Sequence, residues 1–285
     1  MITTKTSDLP KSTKELEITI PWTNVRETYE QILDQVVIDT ELPGFRKGKA
    51  PKKLVLEKID KTKVYEQVVK EIVPKAYAES LKETHVNPIV SPRIEVLEAG
   101  EEKDWKIKAT VAVKPKVDLK NYKEKVREFK KGKATKIWVP GKDEKAEKEE
   151  LKKPTMDELL KVLLDAVEVE FSDMLIEDEA NRLLSNLIDQ TQKLGMTVEQ
   201  YLLAQHKTSE QLRAEYALNA ARNLKLEFAL MEIAESETIT VSEEDINNLL
   251  NKIEKPEEKE TLKKQGYYLA SLIRQQKTLD FISNL

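Results

Sequence analysis

Gly44-Phe45-Arg46-Lys47-Gly48-Lys49-Ala50-Pro51 sets one aromatic residue among three cations and two glycines, between segments with helical periodicity. Glycine at 44 and 48 opens backbone conformations that a Cβ forbids, and Pro43 and Pro51 separate the stretch from its flanking helices. The composition is that of a protruding docking loop, with Phe45 presented beside Arg46, Lys47 and Lys49. Such a tip implies a phosphate-rich or acidic partner.

On the N-terminal side of the loop, Leu16, Ile18 and Ile20 alternate with polar neighbours across residues 14–22, the pattern of a half-buried strand ended by Pro21. Residues 24–41 place Val25, Tyr29, Ile32, Val36 and Val37 at three- and four-residue spacing, an amphipathic helix that leads into the loop. On the C-terminal side, Pro51 opens a short helix with Leu54, Val55 and Ile59 on one face. Residues 64–85 form a longer helix through Val68, Val69, Ile72, Tyr77 and Leu81, with Pro74 as a candidate kink. After Asn87-Pro88 the period changes: Ile94 and Val96, then Trp105, Ile107, Ala109, Val111 and Val113, predict an antiparallel hairpin with one apolar face. The order strand, helices, strand, strand is that of an α+β domain ending near Asp118-Leu119.

The 44–51 stretch resembles the ribosome-docking signature of trigger factor, the bacterial chaperone family that meets nascent chains at the ribosomal exit tunnel. The same order of elements, the Asn87-Pro88 step and the exit Lys114-Pro115-Lys116-Val117-Asp118-Leu119 extend the resemblance over the whole first domain. It implies that Phe45, Arg46 and Lys47 contact the large ribosomal subunit beside the tunnel exit, that Gly44 and Gly48 let the tip protrude, and that Lys49 adds an auxiliary phosphate contact.

Residues 120–155 are dense in charge, with Lys130-Lys131-Gly132-Lys133 and a second run from 142 to 153, and read as a linker or peripheral arm. Here the chain departs from the full-length family pattern. Trigger factors usually carry at this point a prolyl isomerase domain resembling the FK506-binding fold, and this stretch is too short to hold its sheet and aromatic pocket. Trp138 reads as a local packing anchor.

From Met156 onward the pattern is helical. Thr155, Thr197 and Thr208 each stand three residues before Glu158, Gln200 and Gln211, and Ser242 stands three before Asp245, four side-chain signals for helix starts. The helices read as 156–170, 177–194, 197–205, 208–236, 242–253 and 257–283. The stretch from Ala166 to Leu184, through Ile176-Glu177-Asp178-Glu179, resembles the family's step from arm helix into body. The expected architecture is an α+β N-terminal ribosome-docking domain (1–119), a charged linker (120–155) and an all-α C-terminal chaperone domain (156–285).

Charge follows this division. Residues 1–120 hold 22 Lys+Arg against 20 Asp+Glu, residues 121–155 hold 12 against 7, and residues 156–285 hold 14 against 25. A basic front and an acidic rear suit a protein with one end on a polyanion and the other kept off it. With 35% charged and 39% apolar residues the chain is expected to be soluble and folded. No apolar run approaches a membrane span and the first residues lack a signal-peptide core, so the cytoplasm is the expected compartment.

The chain has no cysteine, which excludes disulfides, thiol nucleophiles and cysteine-bound zinc. Its two histidines, His85 and His206, have no partners at metal or nucleophile spacing, and no nucleotide-binding glycine loop occurs. No enzyme activity, cofactor or metal is expected. The resemblance implies an ATP-independent chaperone whose partners are ribosomal protein and rRNA of the large subunit near the tunnel exit and unfolded or nascent polypeptides, with no membrane. Client contact would fall to apolar surface of the helical domain, where flexible Met174, Met196 and Met231 suit irregular partners. The other reading is a ribosome- or RNA-binding assembly factor whose acidic helices serve only as an interaction domain, without holdase activity. Dimerisation off the ribosome is left open.

Overall fold

The computed structural model describes residues 2–39, 61–134, 154–251 and 265–285. Contacts divide the chain into two compact units: residues 1–114 with Ser172–Leu175, and residues 115–171 with 176–285.

The first unit is built on a four-stranded antiparallel sheet of β1 (Thr3–Leu9), β2 (Thr13–Ile20), β3 (Arg93–Glu98) and β4 (Trp105–Ala112) in the order β1-β2-β4-β3. The alternation in β2 has the expected result: Leu16, Ile18 and Ile20 are fully buried and lie opposite Ala109, Ile107 and Trp105 of β4. Two helices cover this face, α1 (Trp22–Asp39) through Val25, Ile32 and Leu33, and α2 (Lys61–Thr84) through Val64, Val68, Ile72, Val73 and Ala76. Asp104, in the β3–β4 turn, accepts a hydrogen bond from the Trp22 backbone N–H at 2.8 Å, satisfying one of the donors that a helix start leaves open. Helix α2 runs through Pro74, which is exposed. The predicted helix over 51–59 lies outside the described residues.

Two features of the sheet differ from expectation. The first strand is β1, not the 14–22 segment, and it pairs with β2 along its whole length. Its sequence, Thr-Thr-Lys-Thr-Ser-Asp-Leu, has almost no apolar alternation because it is an edge strand held mainly by backbone hydrogen bonds. The hairpin also does not have one uniformly buried apolar face. Ile94 and Val96 lie opposite buried Ala109 and Ile107, yet are 36% and 47% exposed, because β3 is the other edge. The register shifts between Val96 and Glu98, so Leu97 is an extra residue at a bulge.

The second unit is helical: α3 (Tyr122–Ala134), α4 (Met156–Ala166), α5 (Asp173–Lys193), α6 (Val198–Ala204), α7 (Ser209–Ser236), α8 (Glu243–Asn251) and α9 (Gly266–Asn284). A short ribbon, β5 (Val117–Asp118) with β6 (Glu168–Val169), accompanies them. Helix α4 therefore stops at Ala166, four residues short of the expected end, and the chain turns extended to make β6.

Helix α3 lies inside the stretch whose charge density reads as a linker. Tyr122 and Val126 are buried, and Phe129 packs against the same core, which also holds Leu159, Leu163, Ile233 and Ile282. The spacing 122, 126, 129 is one helical face among charged neighbours. Lys130 donates from Nζ to the backbone oxygen of Ile282 at 3.3 Å and also to that of Ser283, capping the last carbonyls of α9. The rest of the stretch, 135–153, including Trp138, lies outside the described residues.

The helix starts follow the sequence signals. Gln200 and Gln211 return a side-chain oxygen to the backbone N–H of Thr197 and Thr208 at 2.9 and 3.0 Å, while each threonine hydroxyl accepts from the glutamine N–H at 3.2 Å. Glu158 accepts from the Thr155 N–H at 2.9 Å.

Candidate functional site

Residues Gly44, Phe45, Arg46, Lys47, Gly48 and Lys49 lie outside the described residues. What the structure describes is the pair of helices on either side of them in sequence. Helix α1 ends at Asp39 and α2 begins at Lys61, and these two helices, between which residues 40–60 fall in sequence, pack on each other and on the sheet. Tyr29 of α1 and Tyr65 of α2 stack with ring centroids 4.9 Å apart, and Tyr65 lies 6.2 Å from Trp105 of β4. The Trp105 Nε1 donates to Gly100 O at 3.1 Å, and the Tyr65 hydroxyl donates to Glu101 at 3.1 Å. This aromatic column fixes the two helices relative to the sheet. Burial, with the Glu101 carboxylate second, pushes the Tyr65 phenol up to about 12.

In the helical unit a groove of about 770 Å³ runs between α7 and α9. Its wall includes Leu226, Leu230, Met231, Ala270 and Tyr267, with Arg274 among the polar groups. Leu230 is buried, whereas Met231 is 39% and Tyr267 92% exposed, so the apolar surface continues from the core out to the rim. One end of the groove is latched. Arg274 Nε donates to Ile239 O at 3.0 Å, and Lys277 Nζ reaches Thr240 O at 3.3 Å and Asp245 Oδ2 at 2.6 Å. Asp245 also accepts from the Ser242 N–H and hydroxyl, both at 2.8 Å, so one carboxylate ties α9 to the start of α8. These bonds, the Lys277 contact first, pull the Asp245 carboxyl down to about 2.

The groove was not legible in the sequence. Of the three methionines singled out there, Met231 lines it, while Met174 and Met196 are half-buried elsewhere. Leu194, Leu203 and Leu218 are exposed at 76%, 75% and 73% and add further apolar points on α5 to α7 and their connections. The histidines have backbone roles: His85 and His206 take left-handed φ of 53° and 52° just past the ends of α2 and α6. Among the described residues no group of three or more His, Asp or Glu could hold a metal, and no helix is long and apolar enough to cross a membrane.

A family model described as bacterial trigger factor protein matches residues 1–148, and one for the trigger factor C-terminus matches residues 141–284. The chain belongs to the trigger factor family. The two matches overlap at 141–148 and leave no interval for an isomerase domain, so this is a trigger factor form without one. The trigger factor of Desulforamulus reducens is 40% identical over 115 residues, 40% of this chain and 26% of that protein. That of Staphylococcus epidermidis is 35% identical over 108 residues, 38% of this chain and 25% of the relative. The aligned stretch thus spans about a quarter of the length of these curated relatives. A solved structure from work on promiscuous substrate recognition in folding and assembly activities of the trigger factor chaperone matches at a TM-score of 0.67. It is 14% identical, with 99% of each chain covered, and this likeness shows the fold alone.

Proposed function

We propose that this chain is an ATP-independent chaperone that docks on the large ribosomal subunit near the exit tunnel and shields apolar segments of nascent chains. The observation that carries the reading is that both family halves are present and directly adjoining, at 1–148 and 141–284. In the docking half, Phe45 fills an apolar notch, Arg46 makes a forked contact to phosphate or carboxylate, Lys47 and Lys49 add charge, and Gly44 and Gly48 shape the tip. The basic tip and the acidic helical half then divide the labour: the first meets RNA and ribosomal protein, and the second stays clear of the phosphate backbone.

The α7–α9 groove is the client surface in this reading. Its apolar wall and flexible Met231 suit weak contacts to many sequences, which a client must be able to leave. Binding and release follow from exposure of client apolar segments alone, so no nucleotide is needed and no covalent step occurs. The test has two arms. A photo-cross-linker in place of Phe45 is expected to label large-subunit components beside the tunnel exit. The full chain without ATP is expected to suppress aggregation of a chemically denatured model enzyme. Cross-linking without any suppression would favour a ribosome-bound assembly factor over a holdase.

A further inference from the structure

The groove between α7 and α9 has the same stripe on both walls. On α7 its lining runs from Asn223 to Ala234 at intervals of three, one, three, one and three residues, and on α9 it runs from Tyr267 to Thr278 at the same intervals. That is the spacing of one helix face, and a stripe of this length covers about 16 Å, or three turns. Two helices thus turn matching faces to a shared space of about 770 Å³ instead of closing on each other along it. Ile239, Thr240 and Val241 stand at the end next to Ala234, whose carbonyl accepts from the Ile239 N–H at 2.9 Å. Among the described residues no strand lines the groove. In the connection that closes it, Ile239 O is taken by Arg274 and Thr240 O by Lys277, and the carbonyls of the walls bond within their helices. An extended chain laid here would set its own N–H and C=O groups against apolar side chains, whereas a helix satisfies its own.

We propose that the groove seats an amphipathic helix of a client, about three turns long, whose apolar face ends on one carboxylate that meets Arg274. This rests on the groove being the client surface and names what that surface takes. Charge fixes the place of the carboxylate. Arg274 is half-buried in the wall and gives its Nε–H to Ile239 O, which holds the planar fork beside the closed end. Its remaining N–H groups suit a carboxylate, and none pairs with it among the described residues. Glu227, the anion of the described wall, lies seven residues before Ala234, about 10 Å toward the open end, where its charge acts on the Arg182 guanidinium. An acidic residue on the client therefore suits the closed end and is disfavoured at the open one. Between the two charges Leu226, Leu230 and Met231 meet the apolar positions, and the thioether adapts to side chains of different shape. A third helix laid against two facing helices packs its ridges into both.

The test is fluorescence anisotropy of labelled synthetic peptides with the full chain. One peptide places its apolar residues at helical spacing and ends that face on a glutamate. A second has the same composition rearranged to strand alternation, and a third carries lysine in place of the glutamate. The first is expected to bind about tenfold more tightly than either of the others, and difference circular dichroism to show helix gained on binding. Arg274→Glu is expected to reverse the charge preference, binding the lysine peptide within about threefold of the native chain's affinity for the glutamate one, a result that an unfolded variant would not give. Met231→Glu is expected to weaken the first peptide by about tenfold. Equal binding of the helical and strand-patterned peptides, or no gain of helix, overturns the proposal; if Met231→Glu still weakens binding, the groove stands as a client surface for extended chains. Equal binding of the glutamate and lysine peptides by the native chain also overturns it. Binding of the first peptide untouched by Met231→Glu, or no binding of any peptide, overturns the proposal together with the groove as the client surface.

Discussion

Tyr122 donates its hydroxyl to Glu237 at 3.2 Å, across 115 positions of sequence, and so ties the first turn of α3 to the C-terminal cap of α7. Lys123 pairs with the same carboxylate at 2.6 Å. The charged stretch after the α+β unit is thereby built into the helical unit at its start. Tyr122→Phe keeps the buried ring and loses the bond, and is expected to cost about 1 kcal/mol. Tyr122→Ala also opens a cavity beside Val126 and Ile233 and is expected to cost about 3 to 4 kcal/mol. Denaturant unfolding followed by helical circular dichroism checks both. A Tyr122→Phe variant as stable as the native chain would mean that the hydrogen bond contributes nothing, and equal losses in the two variants that the buried ring does not.

Pro74 interrupts the hydrogen-bond ladder of α2 without ending the helix. Its side chain is exposed, so Pro74→Ala restores an N–H toward the carbonyl of Lys70 and removes a steric clash at no packing cost. A stabilisation of about 1 to 2 kcal/mol is expected, less than the full interior penalty because the helix has adjusted around the ring. Thermal unfolding of the variant should show a higher midpoint.

Legibility in the sequence followed how much side-chain burial each element carries. Strand β2 could be read because Leu16, Ile18 and Ile20 must all face one core, and the capped helices because a threonine and a glutamine three apart have a local reason to be there. Strand β1 could not, since an edge strand is specified by its partner's backbone. Helix α3 was hidden because only Tyr122, Val126 and Phe129 face inward, within a sequence whose charge density suggests solvent on every side. The α7–α9 groove was hidden for another reason. Leu230 and Met231 are consecutive on α7 and so point about 100° apart, one to the core and one to the rim, but the periodicity of α7 does not encode that α9 stands across from that rim.

Asp245 gives the helical unit an acid-sensitive latch. Its folded carboxyl sits near 2, below the ordinary value of 3.8, so the contribution is complete above about pH 4 and is lost as pH falls toward 2. Asp245→Asn should remove that dependence, and should speed amide exchange in the first turn of α8 at neutral pH, where the acceptor shared by Ser242 and Lys277 loses its charge. Exchange rates at pH 6 and pH 3 check it: the native chain is expected to approach the variant at the lower pH.

Met231→Glu places a charge in the wall of the groove at a half-exposed position. Folding should be little changed, as the helical dichroism will report. Capture of an unfolded model client should weaken by about tenfold, the cost of withdrawing one large apolar contact and desolvating a carboxylate. Unaltered capture would place client contact on other apolar points such as Leu203 or Leu218.

Docking on the ribosome through residues 44–49 underlies the proposed function, and co-sedimentation with purified ribosomes is the decisive experiment. The native chain is compared with Phe45→Ala/Arg46→Ala/Lys47→Ala at low and high salt. Native binding is expected to fall with salt, as contacts to phosphate require, and the triple variant to lose binding at both concentrations. Native-like pelleting of the triple variant, or no pelleting of the native chain, would rule out docking through this loop.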